Sequence, residues 1–87
     1  MSTSSLDKQF AQAVEYVRTT PSTTAISDET KLLYYAYYKQ ATLGDVTAEA
    51  PSRIWFKERA KWTAWNDLKG ISQEKAKQTY IQLVFRK

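Results

Sequence analysis

The stretch LLYYAYYKQATLGD, Leu32 to Asp45, crowds four tyrosines into five residues and sets a lysine directly behind them. Its pattern predicts a helix, uninterrupted until Gly44, a residue suited to a left-handed stop. Ser27 or Asp28 is placed to cap the start, and acidic Asp28 and Glu29 suit the positive end of the helix dipole. At about 100° per residue, Leu32, Leu33, Ala36, Gln40 and Leu43 fall on one arc, the expected core face. Tyr35, Tyr38 and Lys39 share the adjacent arc, and Tyr34 and Tyr37 take the remaining side. A single helix cannot bury all four rings. Rings that flank a core with their hydroxyls in water are ordinary for tyrosine. Two rings and a lysine on one non-core arc, however, also suit stacking on a base and bonding to phosphate.

Three more helices are predicted around this one. Between Ser5 and Thr20, Leu6, Phe10, Ala13, Val14 and Val17 form an apolar stripe at helical spacing, which Pro21 closes. PSTTAIS, Pro21 to Ser27, reads as a loop. After Gly44 comes a longer connection, GDVTAEAPSR, and then a helix from about Ile54 to Leu68, ended by Gly70. Ser72 caps a last helix whose stripe is Ala76, Tyr80, Leu83 and Val84. With no alternating β pattern and no repeat, the expected architecture is all-α. Residues 1–87 form one domain, a four-helix bundle with one long connection.

Composition removes several function classes. The chain has no cysteine and no histidine, so disulfide frameworks, the usual zinc sites and Cys- or His-based catalysis are out. Glu49 and Glu58 have no apparent nucleophile or metal partner, and no glycine-rich phosphate loop is present; an enzyme is not expected. The N-terminus lacks a signal-peptide core and no apolar run approaches the roughly 20 residues of a membrane span, so the expected location is cytoplasmic. A net charge of +4 favours an anionic partner. In the third helix, Trp62 and Trp65 read as a buried stripe beside a basic edge of Lys57, Arg59 and Lys61, with Glu58 between. Basic and aromatic residues together leave a small helical nucleic-acid-binding domain open as an alternative.

Three ordered segments resemble the acyl-CoA-binding protein family: YKQATLGD (Tyr38 to Asp45), KERAKWTAWNDLKG (Lys57 to Gly70) and SQEKAKQTYIQLV (Ser72 to Val84). The correspondence runs from about Phe10 to Val84. It implies a non-catalytic carrier that binds, buffers and transports medium- to long-chain fatty acyl-CoA thioesters. The CoA phosphates would lie on Lys, Arg and Tyr side chains, and the acyl chain in an apolar groove. By position, Tyr35 to Lys39, including Ala36 and Tyr37, resembles the family's principal ligand-contacting turn. Tyr35 and Lys39 resemble phosphate contacts, and Tyr38 lies beside the adenine site. Lys61 matches the lysine used for the nucleotide phosphates, Tyr80 the fourth-helix tyrosine at the ligand, and Arg18 the basic residue ending the first helix. Ala13 and Val14 correspond to residues bordering the acyl channel.

The resemblance implies no cofactor and no metal. It implies a monomer whose partners are fatty acyl-CoA and the enzymes that make and use it, in part at membrane surfaces, with no nucleic acid. The chain also departs from the family pattern. The loop after Pro21 is longer than in short members, its extra TTAIS placed to cover or reshape one end of the site. Lys31 stands where an apolar residue is common, Ala50 where Arg often precedes the loop proline, and Arg59 replaces a common lysine. Lys31 and Ala50 are the features that suit a second alternative, a protein-interaction module on the same fold.

Overall fold

In the computed structural model the described residues are 5–19 and 27–85. They form four helices, α1 (Ser5–Thr19), α2 (Asp28–Leu43), α3 (Phe56–Asn66) and α4 (Gln73–Phe85), and no strand. Pro21 and the loop through Ile26 lie outside the described residues.

The helix ends follow from local chemistry. Ser27 caps α2 by accepting from the Thr30 backbone N–H at 3.1 Å, and Gly44 stops it by donating its own N–H to the Gln40 carbonyl. Gly44 adopts φ 83 and ψ −153, outside the left-handed helical well and in a region open essentially to glycine alone. Ser72 accepts from the Lys75 N–H at 3.0 Å and so caps α4. The third helix is shorter than its sequence pattern predicts. Trp55, at φ −93 and ψ 63, is not helical and has no side-chain oxygen with which to cap. Beyond Asn66 the chain tightens into i→i+3 bonds, Leu68 N–H to Trp65 O and Lys69 N–H to Asn66 O, and reaches positive φ at Gly70.

The helices pack in the order α1, α4, α2, α3, so α2 and α4 are the central pair. The core sits among α1, α4 and α2. Its small residues, Ala13, Ala41 and Ala76, let the backbones close, and the rings of Phe10 and Tyr80 fill the space at a 5.2 Å edge-on contact. Of the predicted stripes, Phe10, Ala13, Val14 and Val17 of α1 and Ala76, Tyr80 and Val84 of α4 face this core, whereas Leu83 lines an outer cleft with Thr79 and Phe85.

The predicted core arc of α2 needs correction. Ala36 and Gln40 are buried, but Leu33 and Leu43 are exposed, and Tyr34 and Tyr37, assigned to the outer side, pack half-buried against the core. The reason is that α2 has neighbours on two sides, α4 and α3. A single apolar arc does not describe such a helix, and angle alone does not say which turns extend past their neighbours.

Side chains of α3 hold the long connection in place. Trp62 Nε1 donates to Ala48 O at 2.8 Å, Trp65 Nε1 to Gly44 O at 2.9 Å and Arg59 Nη1 to Pro51 O at 2.8 Å. The tryptophan pair is therefore a structural clasp, half-buried rather than a fully buried stripe. Across the molecule, buried Gln40 donates through Nε2 to both Asp45 Oδ1 and Ile71 O, while Asp45 Oδ1 also accepts from the Gly70 N–H. These bonds tie the end of α2 to the α3–α4 turn.

Candidate functional site

Where α2 lies beside α3, the contact does not close. A crevice of about 510 Å³ runs between them, with an apolar lining of Leu32, Phe56 and Ala60. Lys31, Tyr35, Lys57 and Lys61 supply its polar lining together with a single carboxylate, Asp28. On each helix the polar residues stand four apart, Lys31 and Tyr35 on α2, Lys57 and Lys61 on α3, so each pair lies on one face.

The cations converge on one ring. Lys39 Nζ and Lys61 Nζ each lie 5.7 Å from the centroid of Tyr35, and Lys39 is also 5.7 Å from the Trp65 ring. Two ammonium groups from different helices thus stand around one phenol at the edge of an apolar crevice. Each ammonium group is held by the ring it stands over. A bound phosphate would answer such charges more strongly, through charge-assisted bonds to the N–H donors.

The predicted site residues divide into two groups. Tyr35, Lys39 and Lys61 come together at the crevice. Tyr38, placed on the same arc by angle, turns toward α1 and α4, where it stacks on Phe10 at 6.2 Å and leans on Tyr80 at 6.3 Å, while staying partly open to solvent. Tyr80 is buried, and burial, then the nearby Tyr34 and Tyr38, pushes its hydroxyl from 10.0 up to about 12. It is therefore a neutral phenol over the whole working range of pH. Ala36 is fully buried, and Tyr37 packs half-buried on the core. Arg18 is exposed near the end of α1, with its Nε 3.9 Å from Glu15, on a helix that packs against α4. Of the two residues expected beside the acyl channel, Ala13 is wholly buried and Val14 half-buried in the core.

Sequence reasoning missed Phe56 and Ala60, and it placed Leu32 on the core arc rather than in the crevice. The available signal for Phe56 was the run Ile54–Trp55–Phe56, three large apolar side chains where a helix start favours polar caps. No group of three or more His, Cys, Asp or Glu able to hold a metal occurs among the described residues.

The family model for acyl CoA binding protein matches residues 7–84. The chain belongs to the acyl-CoA-binding protein family. It is 41% identical over 80 residues to acyl-CoA-binding protein homolog 3 of Caenorhabditis elegans, covering 90% of this chain and 69% of that one. Acyl-CoA-binding domain-containing protein 1 of Oryza sativa subsp. japonica is 43% identical over 79 residues, covering 91% of this chain and 85% of its own length. Among solved structures, acyl-CoA-binding protein 2 of Oryza sativa superposes with a TM-score of 0.83 at 44% identity, covering 91% of this chain and 86% of that one. The acyl-CoA-binding protein of Moniliophthora perniciosa gives the same TM-score at 38% identity, covering 95% of this chain and 76% of its own. The expected family and the all-α four-helix fold are both borne out.

Proposed function

We propose that this member of the family binds medium- to long-chain fatty acyl-CoA one to one, without catalysis, and carries it between the enzymes that make and consume it. The observation that carries this reading is the convergence of Lys39 and Lys61 on Tyr35 at the edge of an apolar crevice. Coenzyme A bears roughly −4 in phosphate charge near neutral pH, given a second phosphate pKa of about 6. Lys39, Lys61 and the Tyr35 hydroxyl answer it with charge-assisted bonds, and Arg18 adds a further cation near the end of α1. Arg59 already commits one nitrogen to Pro51 O. Leu32, Phe56 and Ala60 offer the acyl chain an apolar wall, worth about 0.8 kcal/mol per buried CH₂.

The other residues of the expected site act from behind. Ala36, wholly buried between Tyr35 and Tyr37 in sequence, lets α2 pack closely and so holds the tyrosine turn. Tyr38, which keeps part of its ring open to solvent, offers a face suited to an adenine ring, and buried Tyr80 supports it from behind. A monomer in the cytoplasm goes with this reading.

Calorimetric titration of ligand-free protein with acyl-CoAs from acetyl to stearoyl, with free CoA and free palmitate as controls, tests it. Tight one-to-one binding that strengthens with chain length and is weak for both controls is expected. Equal affinity for CoA and its long-chain thioesters, or no binding at all, would overturn it.

A further inference from the structure

The crevice carries positive charge at two levels, and the proposed function uses only one of them. Lys61 lies over the Tyr35 ring and Lys39 over the Trp65 ring, each at 5.7 Å, so positions 35 and 39 of α2 meet positions 61 and 65 of α3 in the same order. The two helices therefore run parallel. One turn back, about 6 Å toward both N-termini, Lys31 and Lys57 stand at a common level, and both line the crevice. The apolar wall of Leu32, Phe56 and Ala60 accompanies the two levels.

Lys31 and Lys57 are exposed, at the mouth of the crevice rather than in its floor, and among the described residues neither is in an ion pair. Asp28, three residues before Lys31, is the one carboxylate in the lining and is paired with neither. Two cations against one carboxylate leave this end positive. A plain hydrocarbon end laid here gains nothing from two ammonium groups, and covering them strips away water that they need. A carboxylate in the same place gains charge-assisted bonds, while the methylenes behind it keep the apolar wall.

We propose that the crevice selects acyl-CoA thioesters whose chain ends in a second carboxylate, held by Lys31 and Lys57 while the CoA phosphates sit on Lys39 and Lys61. This rests on the acyl-CoA reading and names the kind of acyl group. From Lys39 back to Lys31 is eight residues of helix, about 12 Å. The pantetheine arm and a medium-length chain together are longer than that and flexible, so the chain folds back along the wall and sets its far end at the second lysine pair. Lys31 and Lys57 then determine specificity by reading the end of the chain.

The test is calorimetric titration with dodecanoyl-CoA and dodecanedioyl-CoA, which differ only at the far end of the chain. The quantity read is the ratio of the two affinities in one protein, in which contributions from CoA and from the fold cancel. The unmodified protein is expected to favour dodecanedioyl-CoA. In K31M that ratio is expected to fall about tenfold, the worth of one charge-assisted bond. Circular dichroism checks that the variant is folded. Dodecanedioyl-CoA with its far carboxyl blocked as the methyl ester makes the same point without a mutation, and the unmodified protein is expected to show no preference for it over dodecanoyl-CoA. Failure of the unmodified protein to favour dodecanedioyl-CoA would overturn the proposal. So would a ratio that K31M leaves unchanged, or a preference that the methyl ester retains. The acyl-CoA reading survives each of those results, whereas binding of neither thioester would remove both.

Discussion

The two sides of α2 use the same residue type to opposite ends. Toward α4 and α1, Tyr34, Tyr37 and Tyr38 meet Phe10, Tyr80 and small alanines, and the rings pack. Toward α3, Tyr35 meets two lysines and an open crevice. The difference lies in the partner helices. Helix α4 offers Ala76 and a buried ring, which permit close approach, whereas α3 offers Lys57 and Lys61 and has no buried residue of its own. Ammonium groups keep their hydration and hold the helices apart where they meet. One side of the tyrosine helix thus serves stability, and the other is left for a ligand.

That division is open to attack by mutation. The largest effect is expected from Tyr80→Ala, which empties the packed side. By analogy with other buried aromatic truncations it should cost about 3–5 kcal/mol, read from the urea midpoint. If the loss is under about 1 kcal/mol, the packed side is not where stability resides. Next comes the pair Lys39→Ala and Lys61→Ala. Together they should weaken acyl-CoA binding by about 3 kcal/mol, on the order of a hundredfold, since each removes a charge-assisted bond. The urea midpoint should stay put, since neither lysine is buried. A large fall in stability would show that the lysines belong to the fold rather than to the ligand.

The smallest effect concerns the clasp between α2 and the α3–α4 turn. The Gly70 N–H, then the Gln40 side chain, hold the Asp45 carboxyl below its usual 3.8. Because the folded value is the lower one, this stabilisation is fully present above the unfolded pKa and disappears as pH falls through the folded value. Stability of the unmodified protein should therefore fall below about pH 4 by slightly more than that of Asp45→Asn, when the two are compared by thermal melts across that range. Parallel curves would remove Asp45 from the account.

These contrasts also explain how far the sequence was legible. The four helices followed from apolar spacing, from Ser27 and Ser72 as caps, and from Gly44 and Gly70 as stops, because each depends on neighbours within one or two turns. Tyr35, Lys39 and Lys61 were found by resemblance, and two of the three by angle as well. The segment YKQATLGD looked like a single ligand motif, yet it splits by role. Lys39 stands by Tyr35, which lines the crevice, while Gln40 and Asp45 are joined to each other and to the α3–α4 turn. No local pattern distinguishes the two jobs, since both need polar residues at neighbouring positions.

The sequence by itself determined the helices, the caps and stops of α2 and α4, the absence of thiol and imidazole chemistry, and the family. It could do so because capping, periodicity and motif order are properties of the chain read in one dimension. Only the tertiary structure decided which sides of α2 are covered, that Tyr38 parts company with Tyr35, that the tryptophans clasp the long connection, and that Ile54, Trp55 and Phe56 stand in solvent. Each of these depends on which helix lies alongside, and helices distant in the chain, such as α1 and α4, meet only when the whole molecule has packed.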